Sequence, residues 1–135
     1  MTQTIVALVE DLVFTSKLRA AAQGTEAALH ITSQSEEFVQ MVRTSNPTLI
    51  LLDLNFSRAD ALALVPQARS VTNGRAAPIV GFLSHVQAER ALAARTAGCA
   101  AALPRSLFVQ LLPALLREGA AALEAAPAAD SPTTA

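Results

Sequence analysis

Each of four groups capable of chemistry closes an apolar run. Asp53 ends Leu49-Ile50-Leu51-Leu52, Glu10 and Asp11 follow "TIVALV", Ser84 and His85 follow "PIVGFL", and Arg105 stands just past "CAAAL". A strand built from residues 49–52 is buried on both faces, and an ionised carboxylate is rarely left in such a place without a partner. In an open sheet of parallel strands, functional groups gather in the crevice at the strands' carboxyl ends. Three carboxylates, a hydroxyl and a cation would then share one edge. Crowded carboxylates repel each other unless a cation or a proton offsets them. A hard divalent ion such as Mg²⁺ takes oxygen ligands of this kind, keeps waters and accepts a phosphate oxygen. The chemistry predicted is nucleophilic: Asp53 accepts a phosphoryl group, and Ser84 and Arg105 stand where they can bond its oxygens.

Holding these groups at one edge requires the strands to be parallel. Short apolar runs alternate with longer helical stretches, which predicts an α/β doubly wound sheet with helices on both faces. Strands are expected at about 4–9, 27–31, 48–52, 78–83 and 99–103, and helices near 14–23, 35–45, 58–71, 86–97 and 109–124. Gly24 and Gly98 sit where helices must stop, and Pro47 and Pro78 precede strands, where no ladder donor is lost. Ser33 and Ser35 are candidate N-caps, with Glu36 and Glu37 in the first turn. Pro113 fits if the last helix starts near Val109, since first-turn amides lack intrahelical partners.

The chain has 135 residues, 52% of them hydrophobic, enough for one domain with a real core. Residues 1–124 are expected to form it. "AAPAADSPTTA", residues 125–135, has nothing to bury and reads as a disordered tail. The lone Cys99 cannot form an internal disulfide, which points to a reducing compartment. A net charge of -1 with scattered Lys and Arg argues against nucleic acid or an anionic membrane as partner. The start lacks a basic leader and no uncharged apolar stretch approaches the ~18 residues of a membrane span, so a cytoplasmic protein is expected. No Gly-rich loop follows the first strand, which argues against a nucleotide-binding enzyme. A phosphatase with a nucleophilic Asp would want a second acid two residues on, where Asn55 stands. No enzyme is expected.

The segments "IVALVEDLVFTSKL", "PTLILLDLNFSRADALALV" and "APIVGFLSHVQAERALAARTAGCAAALPRSL", in this order and spacing, carry a resemblance. Over about residues 4–118 the chain resembles the receiver domain of two-component response regulators. The resemblance implies strand order 2-1-3-4-5 and Asp53 as phosphoacceptor. It also implies Glu10, Asp11, Asp53 and the backbone carbonyl of Asn55 as Mg²⁺ ligands, Ser84 as switch hydroxyl, and a histidine kinase as donor. Arg105 falls where the family has lysine, His85 where it has a small residue, and Ala102 where it has an aromatic. Ser57 and Ala61 replace the proline and glycine of the loop after the acceptor.

Two functions stay open: a receiver phosphorylated on Asp53 in a phosphorelay, and a pseudo-receiver that binds proteins without phosphorylation. Glu10-Asp11 also reads as surface charge or a cap for a helix near Leu12, and Arg105 as a structural partner of Asp53 or Asp11. His85 reads as a rim residue and Cys99 as an inert core thiol. No output domain fits in the remaining residues, so a stand-alone signalling protein acting by contact is expected. The contact face is the fourth helix, fifth strand and fifth helix. There Leu111, Leu112, Leu115 and Leu116 either pack on the sheet or leave apolar surface for a homodimer.

Overall fold

The computed structural model describes residues 2–72, 74, 76–84 and 87–125. Strands β1 (Thr4–Leu8), β2 (Ala28–Thr32), β3 (Leu49–Asp53), β4 (Ile79–Leu83) and β5 (Ala101–Pro104) alternate with five helices. The helices are α1 (Leu12–Gln23), α2 (Ser35–Ser45), α3 (Ala61–Ser70), α4 (Ala88–Ala97) and α5 (Arg105–Glu118), and a 3-10 stretch, Gly119–Ala125, follows. All strand pairs are parallel, in the order β2-β1-β3-β4-β5. The doubly wound sheet expected from the sequence is therefore the one observed.

Strand residues alternate between two apolar layers, because successive side chains point to opposite faces. Val6, Leu8, Ile50 and Leu52 pack with residues of α2, α3 and α4. Ile5, Ala7, Leu49 and Leu51 pack with residues of α1 and α5. Residues 49–52 are wholly buried, as a central parallel strand requires. Asp53 stands opposite Phe82 of β4 and inherits that burial, with 3% of its surface exposed.

Several expected boundaries are corrected by local bonding. Ser33 and Ser35 do not cap α2; the N-cap position is Gln34, without a side-chain cap bond. Instead the Thr32 hydroxyl accepts the Gln34 N–H at 3.0 Å and donates to Glu37. Helix α3 starts at Ala61, because Asp60 caps it by accepting the Leu62 N–H at 3.1 Å. Helix α5 starts at Arg105, not near Val109, because its first turn must bring Phe108 into the core. Pro113 consequently lies inside the helix. It is tolerated because Pro113 is exposed and so is Val109, whose carbonyl loses the amide partner.

Of the two readings of the α5 leucines, packing on the sheet is the one observed for most of them. Leu112, Leu115 and Leu116 are buried, and only Leu111 is partly exposed. Arg105–Glu124 is nevertheless 20 residues with a mean hydropathy of 1.3, long and apolar enough for a membrane span by length and composition. That departs from the expectation of short apolar runs, and its cause is the leucine content of a helix whose inner face fills the core. Cys99 is buried, and burial pushes its thiol up to about 11, as befits an inert core thiol. His85 lies outside the described residues, as does the expected tail of residues 125–135 beyond Ala125, which ends the 3-10 stretch.

Candidate acidic site at the carboxyl edge of the sheet

Asp53 Oδ1 accepts the Asn55 N–H at 2.9 Å, and Oδ2 accepts the Glu10 N–H at 3.5 Å. Burial raises its pKa from the ordinary carboxylate value, against the pull of those two amides and of Arg105. The strand that makes Asp53 apolar in its surroundings thus also makes its charge costly.

Asp11 has two tasks. Its Oδ1 accepts the N–H groups of Val13 and Phe14 at 2.8 and 3.2 Å, capping α1. Its Oδ2 pairs with Arg105 Nη1 at 3.3 Å. The Phe14 amide is the main cause holding its carboxyl below the usual range, with Arg105 adding to it. Of the two partners open for Arg105, the structure selects Asp11. The guanidinium lies 4.6 Å from the Phe14 ring centre and 5.7 Å from that of Phe82, rings that themselves pack 4.8 Å apart. A cation over two ring faces is more often arginine than the lysine of the family pattern. Arg105 Nε is buried without a hydrogen-bond partner among the described residues.

Glu10 turns across the edge to the loop after β3. One carboxylate oxygen accepts the Ser57 N–H and the other the Ser57 hydroxyl, both at 2.7 Å. The Ser57 amide is the first cause of a Glu10 pKa below the ordinary value. A proline at this position would supply neither donor.

Asn55 acts through its side chain, not only through the carbonyl expected from the sequence. Its Oδ1 accepts the Ser84 N–H at 2.6 Å, and its Nδ2 donates to Gln87 Oε1 at 2.9 Å. Arg90 Nη1 donates to the Leu54 carbonyl at 3.0 Å. The Leu54 side chain is buried and lies over Gly81, where a Cβ would meet Leu54 Cδ1 at 2.5 Å. Gly81 pairs with Ala102, and paired residues share a sheet face. Ala102 is accordingly on the sheet face that Leu54 covers.

The edge thus gathers Glu10, Asp11, Asp53, Ser84 and Arg105, as expected. Sequence reasoning missed the Asn55 amide, Gln87, Arg90 and the rings of Phe14 and Phe82. It registered Ser57 only as a departure from the family pattern.

The three carboxylates offer the hard oxygens a divalent ion takes. All of those oxygens, however, already accept an N–H or O–H from the chain. Among the described residues, no three His, Cys, Asp or Glu side chains converge on a common metal position. Each oxygen keeps a second lone pair, so the acids retain the chemistry for a divalent ion, but in this structure the carboxylates of the Mg²⁺ set expected from Glu10, Asp11, Asp53 and the Asn55 carbonyl do not converge on one position.

No family model matches the chain, and no curated protein matches it. Solved structures do. A response regulator of Burkholderia pseudomallei, with a phosphorylated aspartic acid, a calcium ion and citrate, superposes with a TM-score of 0.76 at 18% identity, over 96% of this chain and 75% of that one. A two-component response regulator from Clostridium difficile gives 0.76 at 22% identity, over 90% and 96% of the chains. A CheY-like receiver domain protein from Methanospirillum hungatei JF-1 gives 0.75 at 12% identity, over 93% and 100%. The fold is that of response regulator receiver domains. Within this receiver fold, Asp53, the Glu10-Asp11 pair and Ser84 stand at one edge, and the donors that hold them come from the chain itself.

Proposed function

We propose that the chain is a receiver-like signalling domain that acts by contact with another protein, not as an enzyme, and that its Asp53 is held in a state disfavouring phosphorylation. One observation carries this reading: all the acidic oxygens of the site are already occupied by donors of the chain. A phosphodonor must reach a buried carboxylate, and a divalent ion would share the acid oxygens with Ser57 on Glu10 and Arg105 on Asp11. Contact with a partner is supported by Leu12 and Val13, which are 82% and 68% exposed beside the acid pair.

A second reading, phosphorylation of Asp53 by a histidine kinase with Mg²⁺, is favoured by the survival of acceptor, acid pair and hydroxyl at one edge. It also accords with the phosphorylated aspartic acid in the Burkholderia protein of like fold. In that reading an Asp53 oxygen attacks the donor's phosphorus and the bond to the donor's leaving group breaks, leaving an aspartyl-phosphate. Intact-mass measurement after incubation with acetyl phosphate and Mg²⁺, wild type against Asp53→Asn, separates the two. Little or no mass gain in the wild type is expected. Stoichiometric gain that vanishes in Asp53→Asn would overturn the first reading and establish the second.

A further inference from the structure

Asp11 caps α1 and Phe14 stands three residues on, so carboxylate and ring belong to one helical turn. The Phe14 N–H donates to Asp11 Oδ1 at 3.2 Å, which fixes the two relative to each other. The remaining oxygen, Oδ2, holds Arg105 Nη1 at 3.3 Å, and the guanidinium carbon lies 4.6 Å from the Phe14 ring centre. Phe82, opposite Asp53 in the sheet, adds a second ring at 5.7 Å. Both rings are buried, and Phe82 is stacked in turn on Phe108 with ring centres 4.7 Å apart. One carboxylate and two ring faces therefore stand in a fixed arrangement around the guanidinium.

Such a wall discriminates between cations. A divalent ion such as Mg²⁺ keeps several waters, and waters turned against ring faces lose hydrogen-bond partners. An ammonium is a strongly hydrated point charge, whereas a guanidinium is planar, weakly hydrated and stacks on aromatic faces. A weakly hydrated group loses least by the situation of Arg105 Nε, which is buried without a hydrogen-bond partner among the described residues. The ion pair alone is a poor anchor, because Asp11 is 44% exposed and exposed pairs add little. The rings supply what the ion pair does not.

We propose that Asp11, Phe14 and Phe82 form a cation site selective for a guanidinium over an ammonium or a hydrated divalent ion, and that the chain fills this site with its own Arg105. Arg105 is then the resident counter-ion of the acidic edge, its charge acting on Asp53 as well as on Asp11. The inference deepens the proposed function and rests on it only in taking this edge as the chain's site, whether or not Asp53 is phosphorylated.

The test removes the resident cation and compares free cations in its place. Ethylguanidinium carries the atoms that Arg105→Ala deletes. At about ten times its Kd it is expected to raise the melting temperature of Arg105→Ala by about 4–7 °C. Amide resonances of Asp11, Phe14 and Phe82 should shift with it. Ethylammonium and Mg²⁺ at the same concentration are expected to raise the melting temperature less, and the wild type, whose site is filled, is expected not to be stabilised by ethylguanidinium. Asp11→Asn/Arg105→Ala keeps a helix cap and both rings and should lose the ethylguanidinium response. If Arg105→Ala does not fold in buffer, the same ranking is read from the helicity that each cation restores, by circular dichroism. Stabilisation by ethylammonium or Mg²⁺ equal to that by ethylguanidinium would reduce the site to a plain acidic patch and overturn the proposal. No response to ethylguanidinium, or one that survives Asp11→Asn, would overturn it equally. No phosphodonor is present in any arm, so phosphorylation of Asp53, which would refute the proposed function, leaves this ranking unchanged.

Discussion

Gly81→Ala tests the packing on which Leu54, and with it the loop after Asp53, depends. Gly81 is not among the glycines with positive φ, so alanine fits the backbone there. On backbone entropy alone the substitution should stabilise by about 0.4–1 kcal/mol. Sterically the added Cβ meets Leu54 Cδ1 at 2.5 Å, Cγ at 2.8 Å and Cδ2 at 3.1 Å, all on a side chain with 0% exposure. Overpacking of this kind costs about 1–3 kcal/mol, so a net loss of about 1–2 kcal/mol is expected. For a domain of this size that lowers the melting temperature by about 3–8 °C. Leu54→Ala alone opens a cavity and should cost about 2–5 kcal/mol. In the double variant the new methyl occupies part of that cavity, so the pair should be no less stable than Leu54→Ala alone. The interaction energy is then about 1–2 kcal/mol in the favourable direction. Urea unfolding of the four proteins, followed by circular dichroism, measures it. A stabilised Gly81→Ala, or a double variant whose loss equals the sum of the singles, would show that Leu54 does not bear on Gly81.

Asp53→Asn should raise the melting temperature, because it keeps an acceptor for the Asn55 N–H while removing a buried charge. The folded-state pKa of Asp53 lies above its unfolded value of 3.8, so its ionisation disfavours the fold. The gain over wild type should therefore be absent below about pH 4 and grow as pH rises through the folded pKa, which melts across pH 3–8 will show. Arg105→Ala should lower stability by removing the guanidinium from Phe14 and Phe82, a stacking contribution of about 0.5–1 kcal/mol; unchanged melting would refute it. Ser57→Pro removes both donors to Glu10, so a carbon-detected carboxyl titration should find the Glu10 pKa moved up toward the ordinary value. The same variant should gain affinity for a divalent ion, measured with paramagnetic Mn²⁺.

The fold was legible because its signal is local and repeated. Five short apolar runs that alternate with longer helical stretches predict parallel strands, and the alternation predicts the layering. The site residues were legible as an ensemble for the same reason, since each stands at the end of such a run. Their partners were not legible. Asn55 meets Ser84 and Gln87 across 29 and 32 residues of chain, and nothing in either loop marks the meeting. Arg105 had two acids to choose from, and the choice fell to Asp11 because the rings of Phe14 and Phe82 hold the guanidinium on the α1 side. Pro113 misled because a proline marks a helix start only when packing agrees. Here the spacing of Phe108, Leu112, Leu115 and Leu116 sets the register of α5 and overrides it.

Three acids at one sheet edge need an explanation in a fold where, among the described residues, the cations acting on them are Arg105 and, at Glu10, Arg58. Like charges so placed raise one another's pKa values unless donors intervene, and here Glu10 contributes to the raised value of Asp53. The chain answers the repulsion unequally. Glu10, half-buried, and Asp11, exposed, are each held below their ordinary values chiefly by backbone amides, of Ser57 and of Phe14. Asp53, buried, has amides at 2.9 and 3.5 Å that do not outweigh its desolvation. The residual instability is therefore concentrated on the one carboxylate whose neighbours in sequence hold α4. Any event that removes its charge or supplies a further donor relieves that instability. Asn55 provides the shorter of the two bonds to Asp53 and the bridge to Ser84 and Gln87.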